Sequence, residues 1–225
     1  MSRERVRQLA HEFLERGDFK GWFDALYAEA KGDTSHIPWA DTEPTTHLAQ
    51  WFEKNKIEGE GRKALVVGCG LGDDAEFVAS RGFDVTAFDI SQSAIDWCKR
   101  RFPKTKVNYV AADLFSTPKD WTNHFDLIVE VYTLQSMPSQ FRVYAMKCLP
   151  LLLAKNGSLL VIARGRDDEE TIDGPPWPLS KRELKALTDV GLVQCEFEDF
   201  FDDEDPPVRR FVLLFKRAAA KKMKG

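Results

Sequence analysis

The sequence has few cysteines and no long apolar segment. Four cysteines occur, without a C-x-x-C pair or a histidine at zinc-ligand spacing: Cys69, Cys98, Cys148 and Cys195. We therefore predict free thiols in a reducing compartment and no metal site. The amino-terminal residues carry charges of both signs and no apolar region, so we expect no signal peptide. No apolar run approaches the ~18 residues of a membrane helix, and we expect a cytoplasmic protein without a membrane partner.

An excess of basic residues is also missing. The formal net charge is −4, with 32 Lys and Arg residues against 36 Asp and Glu residues. Proteins whose main task is to grip nucleic acid need a basic surface, because they bind phosphates. The composition therefore argues against a nucleic-acid partner. A length of 225 residues without repeats or low-complexity segments is typical of one domain with a small extension.

Hydrophobic periodicity divides the chain into two parts. Between residues 6 and 30, apolar residues recur at intervals of three and four, which predicts amphipathic helices with a break near Gly17. Thr45 or Thr46 is predicted to cap a third helix that runs through Phe52. From Lys63 onward, β-branched runs alternate with helical ones, which predicts a parallel sheet with helices on both faces. The predicted strands are 64–67, 84–88, 106–110, 126–131 and 158–163, and the predicted helices are 73–80, 91–101 and 139–149.

Two further strands are predicted near the carboxyl terminus, Leu192–Phe201 and Val208–Lys216, with the acidic loop 202–207 between them. So short a connection requires antiparallel pairing, because a parallel crossover needs a dozen or more residues. The predicted fold class is α/β: a Rossmann-like, seven-stranded, mostly parallel sheet with a C-terminal antiparallel strand and helices on both faces. We predict a helical cover over residues 1–57, a core over 58–218 and a disordered basic tail over 219–225.

A glycine-rich turn follows the first predicted strand. Gly68, Gly70 and Gly72 form a G-x-G-x-G sequence directly before a predicted helix. Glycine is needed where the chain turns sharply or where a ligand approaches the backbone. The second strand ends at Asp89, about twenty residues past the first glycine, where a carboxylate can accept hydrogen bonds from both ribose hydroxyls of an adenosine. A helix cap is the alternative role of Asp89.

Further acids indicate which nucleoside cofactor binds. Asp113, after the third strand, can bond the exocyclic amine of adenine with Leu114 against the ring, or it is a simple loop acid. A dinucleotide site usually has G-x-G-x-x-G, so that a helix N-terminus receives the pyrophosphate. Here Asp73 and Asp74 occupy the first helical turn, where they would repel a pyrophosphate but suit the helix dipole and a sulfonium cation. We therefore predict S-adenosylmethionine as the cofactor.

At these segments the sequence resembles the class I S-adenosylmethionine-dependent methyltransferases, and within them the thiopurine, thiol and halide methyltransferase group. The resemblance covers nearly the whole chain and is most specific at residues 67–74, 82–91 and 38–41. Residues 38–41, Pro-Trp-Ala-Asp, are similar to the P-W-D-x-G-x-x-x-P element of that group, although Ala40 is inserted and the glycine is missing. The site implied for the cofactor consists of Trp39, Gly68, Cys69, Gly70, Gly72, Asp89, Ile90, Asp113, Leu114 and Glu130.

The resemblance also implies roles for residues outside the glycine turn. Trp39 would stack over the cofactor, with core packing as the alternative, and Glu130 would lie beside its methionine moiety at the end of the fourth strand. We expect the acceptor above the carboxyl ends of the strands, where the strand order reverses. The candidate substrate residues are Tyr27, Tyr132, Arg164 and Trp177, with Gln135 and Arg166 as further candidates. Arg164 would pair with an anionic acceptor or be a solvated loop arginine.

No catalytic residue is identified from the sequence. A thiolate or halide acceptor needs no general base, and the chain shows no catalytic triad. The four histidines are isolated along the sequence and are expected at surface or capping positions: His11, His36, His47 and His124.

The predicted function is S-adenosylmethionine-dependent methylation of a small molecule, with a thiol as the leading acceptor. The short cover and the lack of an added substrate domain favour a small acceptor. O- or N-methylation of a small metabolite and halide methylation are the alternatives within the class. A non-catalytic nucleotide-binding module and a nicotinamide-dependent dehydrogenase are the alternatives outside it, although the chain lacks the Tyr-x-x-x-Lys pair of the latter. Residues 130–133, Glu-Val-Tyr-Thr, disfavour a nucleic-acid methyltransferase, which would carry an Asn/Asp-Pro-Pro-Tyr sequence there.

Overall fold

The computed structural model of the chain describes residues 3–217. The predicted tail over residues 219–225 lies outside this range. The helices are α1 (Arg3–Glu15), α2 (Gly21–Ala30), α3 (Thr46–Lys54), α4 (Asp73–Ser80), α5 (Gln92–Arg101), α6 (Ser139–Leu152) and α7 (Lys181–Asp189). The strands are β1 (Lys63–Val67), β2 (Asp84–Asp89), β3 (Asn108–Ala111), β4 (Phe125–Val131), β5 (Leu153–Arg166), β6 (Leu179–Ser180), β7 (Leu192–Phe201) and β8 (Arg209–Arg217).

The sheet has the strand order β3-β2-β1-β4-β5-β8-β7, and the two-residue β6 pairs with the end of β5. The pairs β1–β2, β1–β4, β2–β3 and β4–β5 are parallel, whereas β8 runs antiparallel to both β5 and β7. The predicted α/β fold with one antiparallel strand is confirmed. The strand order reverses at β1, which lies between β2 and β4, so the carboxyl ends of these strands border a crevice.

The sheet is covered on both faces. Leu65 and Val67 of β1 belong to the core that includes α6 and α7, whereas Ala64 and Val66 belong to the core that includes α3, α4 and α5. Successive side chains of a strand point to opposite faces. Since each face of β1 packs against helices, residues 64–67 of the strand form an uninterrupted apolar sequence. A rigid central strand thus presents the glycine turn at its carboxyl end.

The amino-terminal helices form a third apolar cluster outside these two layers. Trp22 and Leu26 of α2 pack there with Trp97 of α5. Helix α3 lies within the predicted cover of residues 1–57, yet its Leu48 and Phe52 join the core on the sheet as the side chains of α4 and α5 do. The layer outside the core therefore consists of α1, α2 and the loop before α3.

Two features of the carboxyl-terminal part differ from the predictions. Helix α7 was not predicted, although Ser180 and Glu183 form a capping box at its start, and Ser-x-x-Glu before an apolar run is a sequence signal for a helix. Strand β5 extends well beyond the predicted residues 158–163. Its two ends were not predicted, because they contain Gly157 and polar residues and show no alternation of apolar and polar residues.

Within residues 3–217, no helix is long and apolar enough to cross a membrane.

Candidate functional site

A cavity of about 640 Å³ lies at the carboxyl ends of the parallel strands. This volume is within the ~300–1,000 Å³ of ordinary small-molecule sites. One wall is formed by the turns that follow β1, β2, β3 and β4, and the opposite wall is formed by α1, α2 and the loop before α3. The predicted residues that line the cavity are Tyr27, Trp39, Gly68, Cys69, Gly70, Gly72, Asp89, Ile90, Asp113, Leu114, Tyr132, Gln135 and Arg164.

The glycine turn has a backbone that other residues adopt only with strain. Gly68 has φ +59° and Gly72 has φ +93°, both in the left-handed region. A Cβ at Gly72 would collide with the hydroxyl of Tyr109, and a Cβ at Gly68 would collide with the side chain of Thr133. Glycine is therefore required at both positions by the packing of the protein, in addition to any approach of a ligand.

Asp89 fastens the glycine turn to the end of β2. Its Oδ2 accepts a hydrogen bond from the backbone N–H of Gly70 at 2.9 Å, and its Oδ1 accepts one from the N–H of Ser91 at 2.9 Å. Burial raises the pKa of Asp89 to about 6. A carboxylate has about four acceptor positions, so two remain for a ligand in the cavity. Ser91 rather than Asp89 caps α5, because its hydroxyl accepts the N–H of Ala94 at 3.0 Å.

The two acids of the first turn of α4 have different partners. Asp73 forms a two-pronged ion pair with Arg101, with both N–O distances at 2.7 Å. Asp74 lines the cavity and accepts hydrogen bonds from the backbone N–H and the hydroxyl of Thr45, at 2.7 and 3.0 Å. Thr45 thus precedes α3 as predicted, but its side chain binds α4 instead of capping α3. Burial raises the pKa of Asp74 to about 6. Since Arg101 balances Asp73, only Asp74 offers an uncompensated carboxylate to a cation.

Asp113 is shared between the cavity and the cover. Its Oδ1 accepts the backbone N–H of Phe115 at 2.9 Å, and its Oδ2 forms an ion pair with Nζ of Lys20 at 2.5 Å. The ammonium of Lys20 lies 5.2 Å from the ring centre of Phe19 and 4.9 Å from that of Phe115. Phe19 and Lys20 line the cavity and were not predicted. Their sequence carries no local signal, since they lie in the connection between α1 and α2.

Glu130 is not part of the cavity wall, contrary to the role implied by the resemblance. Its side chain is fully buried, and Oε1 accepts the backbone N–H groups of Thr133 and Leu134, each at 2.8 Å. Oε2 has no hydrogen-bond partner in the described chain. Burial raises the pKa of Glu130 to about 7. The carboxyl group points into the protein because it holds the turn after β4, and Thr133 of that turn faces the cavity instead.

Trp39 and Tyr27 form the part of the cover above the glycine turn. The indole N–H of Trp39 donates to the hydroxyl of Tyr27 at 3.0 Å. Trp39 is 43% exposed and lines the cavity, whereas Tyr27 is buried. Because the Trp39 side chain is this exposed, the alternative that Trp39 packs in the core is excluded. A Cβ at Gly70 would lie 3.1 Å from the Tyr27 hydroxyl oxygen, so the cover and the glycine turn are in close contact.

The opposite end of the cavity contains cations around Tyr132. The guanidinium of Arg210 lies 5.3 Å from the ring centre of Tyr132, and burial raises the pKa of the Tyr132 hydroxyl to about 12. The backbone N–H of Arg164 donates to Oε1 of Gln135 at 2.7 Å, which fixes the end of β5. Both Arg164 and Arg210 line the cavity. Arg210 is itself paired with the carboxylates of Asp202 and Glu204, which balance its charge.

Two of the candidate substrate residues, Trp177 and Arg166, do not line this cavity. The backbone N–H of Trp177 donates to the carbonyl oxygen of Gln135 at 2.7 Å, and the carbonyl oxygen of Trp177 accepts from Arg142 at 3.0 Å. The preceding Pro175 and Pro176 line the cavity in its place. The backbone of Trp177 thus anchors the proline-rich loop.

His47 was expected at the surface or as a cap, and this expectation is wrong. Its side chain is 13% exposed and lines the cavity, with Nε2 3.8 Å from a carboxylate oxygen of Asp202. His11 and His36 are half exposed, as predicted. The sequence offered no means to single out His47, because the loop that contains Asp202 lies more than 150 residues away.

Known proteins with similar sequences are described as methyltransferases. The model of the thiopurine S-methyltransferase family matches residues 28–212. A probable thiol methyltransferase 2 of Arabidopsis thaliana is 27% identical over 198 residues, covering 86% of this chain and 82% of that protein. Thiocyanate methyltransferase 1 of Brassica oleracea is 27% identical over 210 residues, covering 90% and 83%. The N-methyltransferase NodS from Bradyrhizobium japonicum, solved with S-adenosylhomocysteine, shares the fold: its TM-score is 0.68 at 20% identity, covering 87% of this chain and 97% of that chain.

Proposed function

The chain belongs to the thiopurine S-methyltransferase family and is an S-adenosylmethionine-dependent methyltransferase, and we propose that it methylates the sulfur atom of a small thiol. The acceptor binds between the turn after β4, the end of β5 and the amino-terminal cover. The partner is a small molecule. We extend the proposal to a reducing, cytoplasmic compartment, which is supported by the four cysteines, all of them free thiols.

The residues of the strand-end wall fit S-adenosylmethionine. In our proposal Asp89 accepts the ribose hydroxyls with the acceptor positions that the backbone leaves free. The backbone of residues 68–72 runs along the methionine and ribose moieties. Ile90 and Leu114 flank the adenine, and Asp113 accepts its exocyclic amine while also bound to Lys20. Trp39 covers the cofactor from the opposite wall.

One observation carries the proposal of a small acceptor: the cover closes on the glycine turn. The hydrogen-bonded pair of Trp39 and Tyr27 lies above Gly70, and the cavity of about 640 Å³ must hold both cofactor and acceptor. A folded protein or a nucleic-acid duplex would need this cover to be open. The cover also reduces the access of water to the reacting atoms.

The reaction requires alignment more than acid–base catalysis. When bound, S-adenosylmethionine supplies a methyl group on a sulfonium cation, with a neutral thioether as leaving group. The acceptor sulfur forms the new bond to the methyl carbon along the line of the bond that breaks, and the thiol proton has left to solvent before this step. The protein contributes by holding the two partners in line and by stabilising the thiolate. Arg164 contributes positive charge near the Tyr132 ring at this end of the cavity, whereas Asp202 and Glu204 balance the charge of Arg210.

Calorimetric titration with S-adenosylmethionine, S-adenosylhomocysteine and NAD tests the cofactor site, and we expect binding of the first two alone. Initial rates with labelled S-adenosylmethionine then compare an aromatic thiol with its hydroxyl and amino analogues of the same shape. We expect methylation of the thiol and little or none of the analogues. Methylation of the hydroxyl or amino compound without methylation of the thiol would refute the choice of sulfur, while the methyltransferase activity would stand. Thiocyanate and iodide belong in the same screen because they are anions without a proton.

A further inference from the structure

A second cavity of about 430 Å³ adjoins the first one. Arg7, Arg164 and Pro176 line both cavities. These three residues thus mark the place where the two spaces meet, on the side of the site opposite to the glycine turn. An acceptor longer than a single ring would extend past them into the second cavity.

The second cavity is lined by more positive than negative charge. It contains four arginines but only two acids, Asp167 and Glu170. Arg209 binds Asp199 through two hydrogen bonds of 2.7 and 2.8 Å and Asp167 through one of 2.6 Å. Arg166 binds Glu183 at 2.8 Å and the backbone carbonyl oxygen of Glu170 at 2.8 Å. Protein groups therefore already saturate these two arginines, which act as part of the wall.

Arg7 differs from Arg166 and Arg209. Its Nε–H donates to the carbonyl oxygen of Pro175 at 3.5 Å, and it forms no ion pair with any residue between 3 and 217. Its guanidinium has five N–H groups in a planar fork that matches a carboxylate. Arg7 is exposed on α1, so water and ligands reach it. It is a cation at the junction of the two cavities with most of its hydrogen-bonding capacity unused.

The remaining wall of the second cavity is apolar. Ile172, Phe201 and Val208 contribute side chains to it. Apolar substituents of an acceptor that extends past the junction would contact these side chains.

We propose that the acceptor is a small thiol that carries a carboxylate on the side far from the sulfur, and that Arg7 at the junction of the two cavities binds this carboxylate. The inference deepens the proposed function, because it names the class of thiol that the site selects. Arg7 is a specificity-determining residue in this proposal. It lies on the wall opposite to the strand ends, so it takes no part in methyl transfer itself.

A binding experiment tests the proposal without depending on turnover. The S-adenosylhomocysteine complex is titrated with 4-(methylsulfanyl)benzoate, the expected kind of product, and with its methyl ester, which lacks the charge. We expect the acid to bind about tenfold more tightly than the ester, as one charge-assisted pair provides. The variant Arg7→Gln should remove this preference, and Arg7→Glu should reverse it. Arg16→Gln is the matched control, since Arg16 follows the same helix but lines neither cavity, and it should keep the wild-type preference.

The experiment distinguishes failure of the proposed sulfur methylation from failure of the proposed carboxylate binding by Arg7. Equal binding of acid and ester by the wild type, or a preference that survives Arg7→Gln, overturns the role of Arg7. Initial rates with 4-mercaptobenzoate and its methyl ester are measured beside the titrations. If neither thiol is methylated while the Arg7-dependent preference is present, sulfur methylation is wrong and the anion site stands. If both thiols are methylated and no preference is found, sulfur methylation stands and the anion site is wrong.

Discussion

The two halves of the cavity are built in different ways. The half that we assign to the cofactor comes from turns close together in the sequence, above all residues 68–72 and Asp89, and their backbone groups bond one another. The half that we assign to the acceptor is assembled from segments far apart, with Arg7, His47, Arg164 and Arg210 on its walls. In the first half, the groups that we assign to cofactor binding also stabilise the fold. In the second half, Arg210 belongs to a buried ion pair with Asp202, whereas the exposed Arg7 can change without loss of the fold.

Substitution of Asp89 should show the largest effect, because it removes the bond between the glycine turn and β2. Asp89→Ala leaves the buried N–H groups of Gly70 and Ser91 without their acceptor. We expect a loss of about 2–4 kcal/mol in the free energy of unfolding and a further loss of about 1–3 kcal/mol in cofactor binding. Urea unfolding and calorimetry at pH 7.5 measure the two quantities. Asp84→Ala, at the exposed start of the same strand, is the control and should change both by less than ~0.5 kcal/mol. If Asp89→Ala lowers neither quantity, the two halves do not differ as described.

Glu130 lies beneath the boundary between the two halves, and its effect should depend on pH. The pKa of Glu130 rises from 4.5 to about 7 on burial, so the folded state binds its proton more tightly than the unfolded state does. The wild-type free energy of unfolding should therefore fall as the pH rises from about 4.5 to about 7, by on the order of 3 kcal/mol from this group, and then level off.

Glu130→Gln isolates this contribution, because its side-chain oxygen can still accept the N–H groups of Thr133 and Leu134. The stability of the variant relative to wild type should increase over the same pH interval and stay constant above it. Asp74 and Asp89, whose pKa values are also raised to about 6, contribute equally to both proteins and cancel in the difference. Denaturant unfolding from pH 4.5 to 8 gives the curve. A difference that does not change with pH would show that folding does not raise the pKa of Glu130.

The same contrast explains what could be predicted from the sequence. The strands, the glycine turn and Asp89 were predictable because local periodicity and spacing determine them. The family resemblance implies that Glu130 lies beside the methionine moiety, and nothing in the sequence indicates that its carboxyl group turns inward to accept two N–H groups. Lys20 and His47 were not predictable, since their partners Asp113 and Asp202 lie 93 and 155 positions away. Pairings of this kind depend on tertiary packing, which a single sequence does not reveal.

Gly70 tests one of the places where the glycine turn touches the cover. It has φ +53°, and a Cβ there would lie 3.1 Å from the Tyr27 hydroxyl oxygen. Gly70→Ala should cost about 1–2 kcal/mol of stability, from backbone strain and from displacement of the cover. In the Tyr27→Phe background the cost should be smaller, because the crowding oxygen is gone. A double-mutant cycle by urea unfolding measures this coupling. If the cost of Gly70→Ala is the same in both backgrounds, strain of the turn alone accounts for it and the contact with Tyr27 carries no energy.

Trp39, which covers the cofactor in our proposal, should give the smallest effect. Trp39→Phe keeps an aromatic ring but removes the N–H that donates to Tyr27. This bond orients the ring that covers the cofactor, and since Trp39→Phe loses both the orientation and part of the ring area, we expect S-adenosylhomocysteine to bind about fivefold more weakly. The free energy of unfolding should change by less than ~0.5 kcal/mol, because Trp39 is 43% exposed and contributes little to the core. Calorimetry and urea unfolding of Trp39→Phe beside Tyr144→Phe, an exposed ring on α6, provide the comparison. Loss of stability without loss of affinity would assign Trp39 to the fold and move the boundary between the two halves into the cover.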